Sequence, residues 1–403
     1  MKFNKWTLGL AAVGAVSLTS VAQAEEKMMV GSQAAAGLTS TTISGYVDTS
    51  AHWNIGSGNA NTPTGVDKKD GFNLNVIQVS LSKALDESEW ASGYRADLWF
   101  GPDANGLGSS PNTSVSTSVS TGTNIVTTST STLSSLGIRQ AYVALRTPIG
   151  NGIDWKMGVF DTIVGYETLE SGNNPNYTRS FGFGLEPTTH TGLLGTYRFS
   201  DSVSVSGGLA NTYGAQINQR TLATGGGEDS KTIMGSVALT APSDWGWVAG
   251  SSLYLGGIHG YDATTDGLTG SDGTRDHYYA GLTLATPVAG MKVGAAFDYS
   301  HAKHVQTAAV DNTYVYALYA SFQATEKLSL HGRAEYQRQQ DGGDAGQPAD
   351  RTEATLTAQY DLWKNVISRA ELRWDHAENN AFDVNGGNAK NTYLAALNLI
   401  YKF

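Results

Sequence analysis

The chain has no cysteine in its 403 residues, which excludes disulfides, thiolate metal sites and cysteine nucleophiles. Charge is sparse too. Only 15% of residues are charged, and the formal balance is −10, more negative by two once Lys2 and Lys5 at the extreme N-terminus are set aside. An acidic chain of this kind argues against nucleic acid as a partner. After residue 24 no apolar run reaches the roughly 20 residues that a spanning helix needs. If this chain enters a membrane it therefore does so as a closed barrel, because only closure satisfies every strand's backbone groups in lipid. What fills the sequence instead is Gly (48), Ser, Thr and Asn, a mixture with few helix formers and many turn formers.

The first 24 residues are expected to be an export signal rather than part of the fold. Lys2 and Lys5 form a positive n-region, Trp6 to Val16 a short apolar core, and Ala22-Gln23-Ala24 the small-x-small pattern of a cleavage site. A short N-terminal segment, 25–42, then precedes a barrel expected over 43–403. That segment is too short for a plug domain or for an autotransporter passenger.

The last segment carries the clearest pattern. Tyr393, Ala395, Leu397, Leu399, Tyr401 and Phe403 alternate with Ala396, Asn398 and Lys402, a period of two with one continuous apolar face. Aromatics near both ends of such a face suit a lipid-facing barrel strand. The pattern recurs upstream. Leu328, Leu330, Ala334 and Tyr336 oppose Ser329, His331, Arg333 and Glu335, and Val366, Ala370, Leu372 and Trp374 oppose Arg369, Glu371 and Arg373. Tyr94, Ala96, Leu98 and Phe100 oppose Arg95, Asp97 and Trp99, while Ile153, Trp155, Met157 and Val159 oppose Asp154 and Lys156. One face needs water and the other an apolar medium; a water-filled lumen inside lipid satisfies both.

Connection length alternates as well. Tight turns at 86–90, 148–151, 200–201, 242–244, 287–290, 324–326 and 361–364 alternate with longer polar stretches at 56–71, 101–135, 161–187, 214–230, 257–276, 302–312, 339–351 and 377–390. Seven short turns and eight long loops predict about sixteen strands: an all-β, transmembrane, antiparallel up-and-down barrel with short periplasmic turns and long exterior loops. A barrel of that size keeps an aqueous channel. The Ser/Thr-rich stretch 109–135 reads as a flexible exterior loop.

Several strings resemble the OmpL-like β-barrel porin family. They are Ser44-Gly45-Tyr46-Val47-Asp48-Thr49, Phe72-Asn73-Leu74-Asn75, Arg139-Gln140-Ala141-Tyr142-Val143, Tyr166-Glu167, Asn174-Pro175-Asn176-Tyr177-Thr178-Arg179-Ser180 and Thr191-Gly192. Their order is maintained from about Ser44 to Asn211, and the Ser/Thr-rich stretch departs from the pattern as an insertion. The resemblance implies a bacterial outer-membrane pore for small hydrophilic solutes, and it supplies no catalytic residue, no cofactor and no metal. By similarity to other outer-membrane proteins, Tyr401 and Phe403 form the insertion signal read by the barrel-assembly machinery. A homo-oligomer, a trimer by analogy with general porins, is a further expectation.

By resemblance to sixteen-stranded general porins, whose third exterior loop folds into the lumen and narrows it, the third long loop, 161–187, is the candidate constriction. It carries Asp161, Glu167, Glu170 and Glu186 with Arg179 as its only base, and Tyr166, Tyr177, Phe181 and Phe183 as anchors. Folded inward, its carboxylates would face a wall bearing Arg95, Lys156, Arg333, Arg369, Arg373 and Arg198, with Glu335 and Glu371 as neighbours. Opposed charges in a confined space orient dipolar solutes and set ion preference. The alternative reading is that the wall charges merely pair with one another and hydrate the lumen. A selective sugar channel, with Tyr46, Trp99 and Tyr142 as stacking platforms, is a second alternative. An outer-membrane hydrolase has weaker support, because no G-x-S-x-G elbow is present. The eight histidines form no metal motif, His301 and His304 being the nearest pair.

Overall fold

The structure is a computed structural model describing residues 41–56, 63, 68–86, 88–107, 112–121, 124–133, 135–215, 217–218, 230–261, 274–303, 310–341, 350–379, 382–384 and 387–403. The expected export signal, His304 and most of segment 25–42 lie outside these residues. In chain order the first strands are β1 (Thr42–Ile55), β2 (Gly71–Lys83), β3 (Ser92–Phe100), β4 (Asn112–Thr121), β5 (Asn124–Leu133), β6 (Leu136–Thr147) and β7 (Ile153–Asp161). There follow β8 (Thr189–Arg198), β9 (Val203–Ala210), β10 (Thr232–Thr240), β11 (Ser252–Tyr261), β12 (Thr274–Ala285) and β13 (Met291–Lys303). The last are β14 (Val310–Gln323), β15 (Leu328–Asp341), β16 (Arg351–Trp363), β17 (Val366–Ala377), β18 (Phe382–Val384), β19 (Gly387–Ala389) and β20 (Asn391–Lys402). All but β4, β5, β18 and β19 form one closed antiparallel barrel of sixteen strands, in which β20 completes the ring against β1 with Ser50 opposite Asn398. Closure leaves no open sheet edge, so each interior strand finds partners on both sides.

The pleat sorts side chains as the alternation predicts. Along β15, Leu330 and Tyr336 are exposed while His331, Arg333 and Glu335 are buried; along β20, Tyr393, Leu397, Leu399 and Tyr401 are exposed while Leu394, Asn398 and Ile400 are buried. Large apolar groups outside and charges inside invert the arrangement of a water-soluble domain, and the outer belt calls for an apolar medium. One irregularity shapes the interior. Asp97 pairs with Gln140 and Leu98 with Ile138, so Arg139 is an extra residue in β6. This bulge turns both Arg139 and Gln140 inward.

The connections divide less cleanly than expected: one rim carries those from 364–365 to 241–251, while the other carries the long 101–135 and 162–188 but also 304–309 and 342–350, both shorter than 241–251. The Ser/Thr-rich stretch differs from the flexible loop expected there: β4 and β5 pair from Asn112 opposite Leu133 to Thr121 opposite Asn124 as a separate two-stranded ribbon. Its Thr- and Val-rich composition favours extended backbone, and a ribbon needs only local pairing rather than a buried core.

Candidate functional site

Loop 162–188, between β7 and β8, lies inside the barrel. Its neck is closed by Thr162 N–H donating to Thr188 O at 3.1 Å. Gly165 then takes φ +119°, a left-handed conformation where a Cβ would meet the Glu186 carboxylate, so only glycine fits. Ile163, Val164 and Tyr166 pack with Phe160 against inward-facing Met234, Tyr254, Ile258 and Tyr279, and the Tyr166 ring stacks on Tyr319 at 3.9 Å. Burial of each such side chain stabilises by about 1.5–3 kcal/mol, so this arm is held to β8–β14 by apolar packing.

The remainder of the loop is held by charge and backbone hydrogen bonds. Arg333 on β15 donates Nη1 to Glu167 Oε1 at 2.6 Å and to Thr178 O at 2.9 Å, and Nη2 to Arg179 O at 3.2 Å, while its Nε reaches Glu353 at 2.8 Å. Arg369 donates to Ser171 O at 2.9 Å and Asn174 O at 2.6 Å, and Arg373 donates to Arg179 O at 2.7 Å. Glu371 accepts the Tyr177 and Thr178 N–H groups at 2.6 and 2.9 Å, and Glu335 accepts the Phe181 N–H at 2.8 Å. Ser180 Oγ caps a short helix, α1 (Phe181–Leu185), by accepting the Phe183 N–H at 3.0 Å. On the other wall Arg95 and Arg139 each donate to Glu170 at 2.9 Å. A segment bonded at once to β3 and β6 and to β15–β17 must cross the interior.

Burial pushes the Glu170 carboxyl up, but Arg139 and Arg95 outweigh it and hold it below the usual carboxylate range. Glu186 is pushed well above that range, first by burial and then by the Asp298 carboxyl beside it. Two carboxyls that close do not both ionise readily.

The structure thus brings together most of the expected residues, in a different relation from the one anticipated. Arg333, Arg369 and Arg373 were expected to face loop carboxylates across water. They are 2–4% exposed and instead clasp the loop directly. Buried backbone carbonyls need donors, and a guanidinium supplies five. Glu335 and Glu371 do the converse, accepting loop N–H groups. Among the anchors, Tyr166 packs as described, Tyr177 donates its hydroxyl to Ser50 at 2.8 Å, and Phe181 lies under the Arg373 guanidinium at 5.5 Å. Phe183 pairs within the loop, 5.3 Å from the Arg179 guanidinium. Arg198 ends β8 at the short-turn rim, remote from the loop. Two of the three expected stacking platforms are covered: Tyr46 (5% exposed) and Trp99 (3%) are packed with Val76, Ala104 and Ile400. Trp99 Nε1 donates to Gln78 Oε1 at 2.6 Å. Tyr401 lies on the outer face, and Phe403 bonds to Gly45 through both backbone groups at 2.9 and 3.0 Å.

Sequence reasoning overlooked Arg139, which bridges Asp97 (2.7 Å), Glu170 (2.9 Å) and Asp161 (2.5 Å). Strict alternation places it on one face with Ile138 and Gln140 on the other, and the bulge overrides that parity. A recess remains between the loop and β3, β6 and β7, where Arg95, Arg139, Tyr142, Lys156, Asp161 and Glu170 converge. Among the described residues no group of three or more His, Asp or Glu is placed to hold a metal ion.

A closed sixteen-stranded barrel with an apolar outer belt, a charged interior and an inward loop defines an outer-membrane porin. Residues 40–403 match the family described as "Putative beta-barrel porin-2, OmpL-like", and the chain belongs to that family. The fold is similar to that of an anion-selective porin from Comamonas acidovorans (13% identity, 90% of this chain and 99% of that one covered, TM-score 0.60). It also resembles the outer-membrane channel DcaP of Acinetobacter baumannii (12%, 90% and 97%, 0.59) and the trimer form of OmpT of Vibrio cholerae (12%, 90% and 99%, 0.57). No curated protein sequence matches the chain.

Proposed function

We propose that this porin passes small hydrophilic solutes and ions by passive diffusion, without catalysis, and that loop 162–188 makes its constriction. The observation that carries this reading is the double tethering of the loop, to Arg95 and Arg139 on one wall and to Arg333, Arg369, Arg373 and Glu371 on the other. Such a loop is a fixed part of the lumen and narrows it. Solutes then pass the side of the lumen formed by β3, β6 and β7, where Arg95, Lys156, Asp161 and Glu170 retain partial exposure. The charges that set selectivity are these, rather than Arg333 and Arg369, which are spent on the loop. The chain is inserted by the barrel-assembly machinery through Tyr401 and Phe403, with its short turns in the periplasm. The trimer form of OmpT supports a homo-oligomer. A sugar-stacking channel loses support, because Tyr46 and Trp99 are covered.

Purified protein in a planar bilayer containing KCl is the test. Stepwise, voltage-insensitive conductance at modest potential is expected. A silent bilayer after verified insertion would sink the reading.

A further inference from the structure

The recess beside the loop holds one cation that the fold does not use. Arg95 is paired with Asp97 and Glu170, and Arg139 with Asp97, Asp161 and Glu170. Lys156, projecting from β7 into the same recess, has no ion-pair or hydrogen-bond partner among the described residues, and its Nζ stands 5.0 Å from the centre of the Tyr142 ring. Cation–π contact at that distance steadies an ammonium but accepts none of its hydrogen bonds. Two further buried polar atoms there lack a protein partner, Arg139 Nε and Asp161 Oδ1. Beside this polar end the lining is apolar: Tyr142, Val164, Leu169 and Phe183.

We propose that this recess is a solute subsite for small monocarboxylates with a compact apolar or aromatic body. The carboxylate is taken by Lys156 Nζ, and the body lies against Tyr142 and Phe183. Lys156 is the lining cation whose N–H groups have no acceptor among the described residues, and a single carboxylate satisfies them. Arg95, Arg139 and Lys156 are already matched in number by Asp97, Asp161 and Glu170, so the recess tolerates one added negative charge at most, and phosphates and dicarboxylates are disfavoured. The hydrogen bond formed is charge-assisted, in a site partly shielded from water, which is where such bonds are strongest. The proposal rests on the reading of this lumen as the conducting path.

The probe is benzoate, with benzyl alcohol as its neutral analogue and phenyl phosphate as the dianion. Two readouts separate the two claims: block of the KCl current in planar bilayers, and calorimetric titration of the folded protein in detergent. Saturable benzoate block and binding are expected, with benzyl alcohol and phenyl phosphate weaker. Lys156→Gln is expected to weaken benzoate by about tenfold, the loss of one charge-assisted hydrogen bond. Lys156→Arg restores most of the affinity, and Tyr142→Leu weakens it with Lys156 in place. Equal binding of benzyl alcohol, or benzoate affinity unchanged in Lys156→Gln, overturns the subsite. So does an absence of benzoate heat and block in the wild-type protein. If benzoate binds by calorimetry while KCl gives no current, the subsite stands and the channel reading fails.

Discussion

Replacement of Arg333 by Met tests how loop 162–188 is held. The Arg333 side chain is 0% exposed, and its guanidinium contacts Glu167 at 2.6 Å, Glu353 at 2.8 Å and Glu335 at 3.5 Å. It also donates to the Thr178 and Arg179 carbonyls. Removal of one partner from a buried ionic cluster costs about 3–5 kcal/mol, because the remaining charges stay desolvated and unpaired. Local detachment of the loop becomes easier by up to that amount, about a hundredfold to several thousandfold in population. Arg179 reports the change directly, since its carbonyl is bound by Arg333 and Arg373 and its peptide bond is inaccessible to a protease while the loop is seated. Trypsin cleavage after Arg179 in the folded barrel, resolved by mass spectrometry, tracks the detached population when reclosing is fast. Arg333→Met should accelerate it by a factor within that range. Adding Glu167→Gln and Glu353→Gln should recover part of the loss, because the stranded charges are then gone. If Arg333→Met folds and is cleaved at the wild-type rate, the Arg333 cluster does not hold the loop, and the apolar arm at Tyr166 with the remaining arginine and glutamate contacts must.

A pH experiment separates the two halves of the loop. Glu186 is raised by burial and Asp298, so its contribution is fully present below the ordinary carboxyl range and is lost as pH rises through the raised value. Glu170 is lowered, so its contribution is present above that range and is lost on acidification. Hydrogen exchange at the Glu186 amide, which donates to Gly182 O at 3.1 Å, should quicken beyond the intrinsic base-catalysed rise as pH increases, and Glu186→Gln should remove the excess. An identical excess in the variant rules out Glu186 as its source. At the barrel seam, a Cβ on Gly45 would meet Gln78 O and the Phe403 ring, the latter at 2.7 Å. Gly45→Leu is therefore expected to lower the fraction of heat-modifiable, folded barrel on gels, and a normal folded fraction would show that the seam tolerates the side chain.

The candidate site was legible in parts, and the parts have different physical origins. Arg333, Glu335, Arg369, Glu371 and Arg373 could be placed on the inner face because charge at every second position has only one face that water can reach. Their roles could not be read. Whether an inward arginine meets solvent or a loop carbonyl depends on residues such as Thr178 and Arg179, more than 150 positions away in the chain. Arg139 was hidden for a local reason, the single extra residue in β6 that breaks the period of two. Tyr46 and Trp99 were placed on the correct face, but parity says nothing about what covers that face. Here Ala104, from the connection after β3, and Ile400 of β20 cover it.

Taken by itself, the sequence determined the barrel: period-two strands, a lipid-compatible outer face and about sixteen strands. These are local patterns, set by the pleat and by turn chemistry, and each stretch of chain states its own. Only the tertiary structure decided that loop 162–188 is threaded through the lumen and clasped by buried arginines, and that Lys156 meets the Tyr142 ring rather than an ion-pair partner among the described residues. Those facts depend on which distant side chains meet inside a closed ring, and pairing across a ring is written in no single segment.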